Sequence, residues 1–273
     1  MRRFAIFLPV FFCLLVAPVV ASEEASVHPF LTSKYSIDLG IFSPTKDLVF
    51  RADGAASGEN IGIDFDEQFD LGHNEDVFAL ELTWRFGTKW SLRLQNFELS
   101  RDRQAVLEED IQWGDNVIQA GSSVTVGSDF ELTRVFFARS FDTNPQYDYG
   151  IGVGLHWLNI GAFIERDLII SFGETSAVSA SGPLPNIGTW YYYSPSEKWY
   201  VGGRLDWFEA SVGDYSGGLV NFAFGANYQL FEHFGVGVKY QIFSLDVDVN
   251  KKDWRGRAEA EYAGLFMHIS GNW

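Results

Sequence analysis

Gly264-Leu265-Phe266-Met267-His268-Ile269-Ser270-Gly271-Asn272-Trp273 is the stretch that decides the fold. In an extended chain successive side chains point to opposite sides. Leu265, Met267, Ile269 and Trp273 therefore share one face, and Phe266, His268, Ser270 and Asn272 the other. Apolar residues at every second position, closed by an aromatic, suit a strand with one face in lipid and one toward a polar interior.

The other end of the chain has the marks of an export leader. Arg2 and Arg3 form a basic start, Phe4 to Val16 an apolar run broken only by Pro9, and Val19-Val20-Ala21 a small-residue cleavage site. The apolar run is shorter than the roughly 20 residues that a bilayer-spanning helix needs. A signal peptide over 1–21 is therefore expected, with a short periplasmic segment over 22–34 and a barrel over 35–273. Cys13, the one cysteine, falls inside the leader, so the mature chain is expected to use neither disulfide nor thiolate chemistry.

Alternation continues along the chain and predicts about ten strands. They run over Tyr35–Pro44, Val77–Phe86, Trp90–Leu99, Phe130–Phe141, Gly150–Asn159, Asn186–Tyr193, Trp199–Glu209, Leu219–Leu230, Gly235–Leu245 and Ala263–Trp273. Asn186–Tyr193 is the least regular, which leaves eight or twelve strands as alternatives. Segments 46–54, 60–66 and 117–128 alternate enough to extend two hairpins beyond the membrane. Connections alternate between tight (87–89, 142–147, 194–198, 231–234) and long and polar (45–76, 100–129, 160–185, 210–218, 246–262). An antiparallel up-and-down barrel with short periplasmic turns and longer outer loops has this rhythm. A Greek-key sandwich has no reason to adopt it.

Charge placement agrees, since Arg or Lys facing lipid at mid-bilayer costs roughly 2–4 kcal/mol. In Leu219–Leu230, Val220, Phe222, Phe224, Ala226, Tyr228 and Leu230 oppose Asn221, Ala223, Gly225, Asn227 and Gln229. Arg139 alone shares parity with Val135 and Phe137, and its nearness to a turn lets the guanidinium snorkel toward headgroups. Aromatic residues collect at the turn end: Trp84, Phe86, Trp90, Phe141, Tyr147, Tyr191, Tyr192, Tyr193, Trp199, Tyr200, Phe231, Phe234 and Trp273. Such crowding is expected of an interfacial girdle. Phe42, Trp157 and Trp207 are expected in a thinner girdle at the other end.

The leader, the alternating strands and the terminal segment 264–273 resemble single-chain outer-membrane barrels of the OmpA and OmpW kind, over essentially the whole mature chain. That resemblance implies integral residence in the outer membrane of a Gram-negative bacterium as a monomer, in contact with lipid and lipopolysaccharide. It also implies that Leu265, Met267, Ile269 and Trp273 are the signal read by the barrel-assembly machinery. Gly271 departs from the pattern, which has a large apolar residue there.

The interior is expected to hold Asp38, Glu81 and Asp206 against Arg85, Arg93, Arg134, Arg204 and Lys239, with Gln95, His156, Gln241, His268 and Ser270 among them. Two readings of this set stay open. The charges neutralise one another and plug a small barrel with a structural or surface role, or they line a narrow path with a mild preference for anions. Inward glycines such as Gly152, Gly154, Gly202, Gly225 and Gly237 either widen that path or make room for long Arg and Lys side chains.

The formal charge is -16, and becomes -18 once Arg2 and Arg3 leave with the leader. Nucleic acid is thereby an unsuitable partner. No cofactor is expected. The first loop's Asp64, Asp66, Glu67 and Asp70 could hold Ca²⁺ or Mg²⁺, which favour oxygen ligands. They lack EF-hand spacing, however, and equally describe a solvated acidic surface. A hydrolase of the omptin or lipid-modifying kind is a third reading, needing a histidine with a partner near the outer rim. His73, flanked by Asp70, Glu75 and Asp76, has that location, whereas His268 and Ser270 share a face near the opposite end.

Overall fold

The computed structural model describes residues 27–56, 59–64, 76–108, 110–113, 116–141, 144–166, 175–212, 215–250 and 255–273. The leader expected over 1–21 lies outside them, as do Asp66, Glu67, Asp70 and His73. After a single-turn helix, α1 (Pro29–Thr32), come β1 (Tyr35–Ala56), β2 (Glu59–Asp64), β3 (Val77–Phe86), β4 (Trp90–Val106), β5 (Ile111–Trp113), β6 (Asn116–Ile118) and β7 (Ser123–Ser140). They are followed by β8 (Tyr147–Arg166), β9 (Thr175–Ser196), β10 (Trp199–Val212), β11 (Tyr215–Gln229), β12 (Phe234–Asn250) and β13 (Arg255–Asn272). Ten strands pair antiparallel in the order β1-β3-β4-β7-β8-β9-β10-β11-β12-β13, and β13 returns to pair with β1. The result is a closed up-and-down barrel. Outside the ring, β2 folds back on the far part of β1, and β5 with β6 forms a small hairpin of its own.

All ten strands expected from alternation are present, and at the turn end their limits lie within a few residues of the expected ones. Gly87, with φ 68°, opens the three-residue β3–β4 turn in the left-handed region that favours glycine. At the other end the strands run much further, β1 to Ala56, β9 back to Thr175 and β13 back to Arg255. A tilted strand crosses a bilayer in about 9–11 residues. Strands of 17–22 residues, such as β1, β4, β8 and β9, therefore stand well beyond it. Apolar alternation stops at the lipid boundary, where the outer face turns to Glu98, Ser100 and Asp102, but backbone pairing does not.

Proline placement fits the pairing. Pro44 has no N–H for the ladder, and the β1–β13 register shifts just after it. Pro183 and Pro185 lie in the part of β9 before Ile187, which pairs with β8 and not with β10. An edge tolerates the missing donors.

The two faces separate as charge and parity require. Outward, large apolar side chains form an exposed band, including Phe78, Val153, Trp207, Phe224, Met267 at 51% and Ile269 at 62% exposure. A continuous apolar surface of this extent belongs in lipid. Arg139 points outward at the turn end with its guanidinium 5.5 Å from the centre of the Trp90 ring. Trp157 and Trp207 are outward as expected. Three expected girdle members are not: Phe42 and Tyr200 are 1% and 2% exposed inside the barrel, and Tyr192 turns inward beside Tyr200. Phe42 shares parity with Asp38 and Tyr200 with Arg204, on the inner face.

Candidate functional site

The inner face of the ten strands converges on the lumen, where the described residues gather polar and charged side chains out of solvent. It is filled in three layers. Toward the loop end, Phe42, Phe97, Phe130, Phe243 and Tyr262 form a fully buried aromatic plug, supported by Leu99, Leu132, Val124 and Val126. Phe243 stacks on Tyr262 at 5.1 Å, while Phe97 and Phe130 meet the same ring edge-on at 5.2 and 5.5 Å. Aromatic pairs in these geometries contribute about 0.5–1.5 kcal/mol each beyond their burial. The sequence reading missed Tyr262 because the strand was begun at Ala263.

Tyr262 also opens the second layer, accepting a hydrogen bond from Gln241 at 3.0 Å. Gln95 donates to Gln241 at 3.0 Å and accepts from Arg204. Arg134, 1% exposed, donates to Asp206 Oδ1 at 2.7 Å, and its Nε lies 2.6 Å from Oδ2. His156 Nε2 stands 3.9 Å from Asp206 and 3.1 Å from Asn221 Nδ2. Lys239 bridges Asp38 and Glu81 at 2.5 Å each, with Arg204 3.8 Å from Glu81. Pairing on this scale is what lets charges persist inside a barrel, since each unpaired ion there costs several kcal/mol.

Nearest the turn end, Asp148 anchors the third layer. It accepts from Ser140 at 2.7 Å, from the Trp190 indole at 2.9 Å, and from Arg85 and Arg93 at 3.3 and 3.4 Å. The Arg93 guanidinium lies 4.2 Å from the centre of the Trp190 ring. Asp148 was absent from the sequence expectation, which began this strand at Gly150. With it, four carboxylates (Asp38, Glu81, Asp148, Asp206) face five cations (Arg85, Arg93, Arg134, Arg204, Lys239), so the excess of two falls to one.

Segment 27–33 closes the same end. Phe30 stacks on Tyr200 at 4.4 Å and meets Tyr192 edge-on, under the Arg85 guanidinium at 5.4 Å. Arg85 also donates to the Ser33 carbonyl at 3.2 Å. The His28 N–H donates to Ser194 Oγ at 2.8 Å, and His28 Nδ1 accepts from the Phe30 N–H. Burial pulls the His28 pKa from 6.5 down to about 4, outweighing the opposing influence of Asn227 and Asp38.

Two voids beside the network measure about 20 Å³ each. Each has room for roughly one water. Inward glycines do not widen them. A Cβ on Gly152 or Gly154 would lie under 3 Å from the Phe136 ring, and one on Gly225 at 2.7 Å from the Lys239 side chain. They give the long side chains room.

The histidine–serine pair meets at Asn227. Ser270 Oγ bonds to Asn227, and His268 Nε2 faces Asn227 at 3.3 Å and Asp38 at 3.7 Å. In the first loop the backbone of Asp64 ends β2, and its side chain is outside the described set. No cluster of three metal-ligating side chains occurs among the described residues.

No protein-family model matches the sequence, and no curated protein does. Solved structures do match in shape. The outer membrane protease OmpT from Escherichia coli matches with TM-score 0.58 at 11% identity, over 93% of this chain and 100% of that one. The attachment invasion locus protein Ail of Yersinia pestis aligns over 86% of this chain and 99% of its own, at 9% identity and TM-score 0.33. Neisserial surface protein A aligns at 10% identity and TM-score 0.26, over 88% and 98% of the two chains. At such identities the likeness is one of architecture, and the chain has the fold of the bacterial outer-membrane β-barrels.

Proposed function

We propose that the protein is an integral outer-membrane barrel with a structural or surface-interacting role and a closed lumen. One observation carries this: the interior is filled from end to end by the aromatic plug, the ion-pair network and the docked 27–33 segment. On this reading the segment 1–21 directs export and is removed, and the turn end faces the periplasm. The barrel-assembly machinery reads Leu265, Met267, Ile269 and Trp273, and the barrel stands as a monomer among lipid and lipopolysaccharide. The long strands carry their acidic loops beyond the headgroups, where first-loop carboxylates meet cationic or divalent-cation-bridged partners. Planar-bilayer recording tests the closed lumen. The expected trace of purified, heat-modifiable protein is free of discrete steps, and salt-dependent unitary steps would establish a pore instead.

A further inference from the structure

Within 264–273, Gly271 is the one outward position that departs from the large apolar pattern, and the structure gives it a consequence. It pairs with Ile37 of β1, and a Cβ there would stand 2.6 Å from the Trp273 ring and 3.1 Å from Ile37. The absent side chain lets the Trp273 indole fold against the outer wall. Beside it lies a groove of about 350 Å³, lined by Tyr35, Ile37, Leu82, Trp84, Leu94 and Trp273 and almost wholly apolar. Its size falls in the range of built ligand sites.

One cation stands at the rim of the groove. Lys34 holds its ammonium 5.3 Å from the centre of the Tyr35 ring, at the mouth of the groove. Lys89 sits in the β3–β4 turn, and Arg139 lies over Trp90, which stacks on Phe137 at 4.9 Å. Among the described outward residues at this end of β1, β3, β4 and β7 there is no Asp or Glu. Glu232 stands 3.9 Å from His233, whose ring stacks on Trp273. Amphipathic rings mark headgroup depth on a barrel wall. Cations stand at that depth here, with the apolar groove running from them toward the middle of the wall.

We propose that this groove is a binding site for one glycerophospholipid with an anionic headgroup, its acyl chain against Ile37, Leu82 and Leu94 and its phosphate beside Lys34. The proposal rests on the turn end facing the periplasmic leaflet. Lys and Arg near a membrane surface attract anionic lipid. The apolar channel adds a preference that loosely surrounding lipid lacks.

Native mass spectrometry tests it, on the purified full barrel exchanged into equal amounts of phosphatidylglycerol and phosphatidylcholine. The expected result is one retained phosphatidylglycerol per barrel in excess over phosphatidylcholine. Lys34→Gln should weaken that retention about threefold, as loss of one exposed ion pair does. Leu94→Trp, which fills the groove, should abolish it with Lys34 intact. Heat-modifiable gel migration shows that each variant is folded, so failure of the barrel and failure of the site are distinguishable. Equal retention of the two lipids overturns the proposal, as does selectivity that survives Leu94→Trp. Loss with Leu94→Trp but none with Lys34→Gln overturns the headgroup assignment.

Discussion

Asp206 illustrates what a charge inside this barrel must do. It is fully buried, with Arg134 against both of its oxygens and His156 3.9 Å away. Removing one partner of such a pair leaves the other charge buried and uncompensated, which costs about 3–5 kcal/mol, whereas replacing both by apolar groups is often neutral. Asp206→Asn is therefore expected to destabilise the barrel by about 3 kcal/mol or more. The double change Arg134→Met with Asp206→Leu should restore most of the loss. Urea unfolding in lipid vesicles, followed by tryptophan fluorescence, measures both. Equal destabilisation by the single and double changes would show that the pair acts through shape rather than charge. Gly188 adds a steric requirement at the same place, because a Cβ on it would stand 2.2 Å from Asp206 Oδ1.

At the scale of elements, the 27–33 segment behaves as a cap whose docking depends on a neutral imidazole. The docked His28 has a pKa of about 4, below its ordinary 6.5. Between those values the released segment takes up a proton that the docked segment refuses, so docking is strongest above pH 6.5 and weakens as pH falls toward 4. Solution NMR of the barrel in detergent should show the 27–33 amide signals broadening over that window. His28→Phe should remove the dependence, and a cap equally ordered at pH 7 and pH 4.5 would refute the linkage. The strands were legible in the sequence because a period of two in a half-lipid environment repeats locally, residue by residue. The cap was not, since its contacts join His28 to Ser194 and Phe30 to Tyr200 across most of the chain. Membership of the lumen set could be read from parity. Partnership could not, because which Arg meets which carboxylate depends on barrel closure and strand stagger. Asp148 and Tyr262 were lost for a simpler reason, as both lie just past strand ends set by where the apolar pattern fades.

For the molecule as a whole, the plug, the network and the cap stand in series along one axis, so opening any one leaves the others closed. The layers also use different physics: excluded volume among Phe rings, paired charges, and a docked segment. No single condition loosens all three, and acid acts on His28 at the cap while leaving the Phe97, Phe130 and Phe243 layer untouched. Undocking the cap with Phe30→Ala should therefore give a barrel as impermeable as the parent. Thinning the plug with Phe130→Ala and Phe243→Ala should do the same, although each truncation costs about 3–5 kcal/mol of stability. Current is expected only when the plug variant is combined with Arg204→Ala and Lys239→Ala, which clear the middle layer, with Arg93→Ala in the Asp148 layer, and with Phe30→Ala at the cap. Those losses remove three of the five lumen cations and leave four carboxylates, so the opened lumen should favour cations. Reversal potentials under a salt gradient report that selectivity. Steady current through the Phe30→Ala variant alone would show that the plug and network are permeable as they stand, and that the cap is the gate.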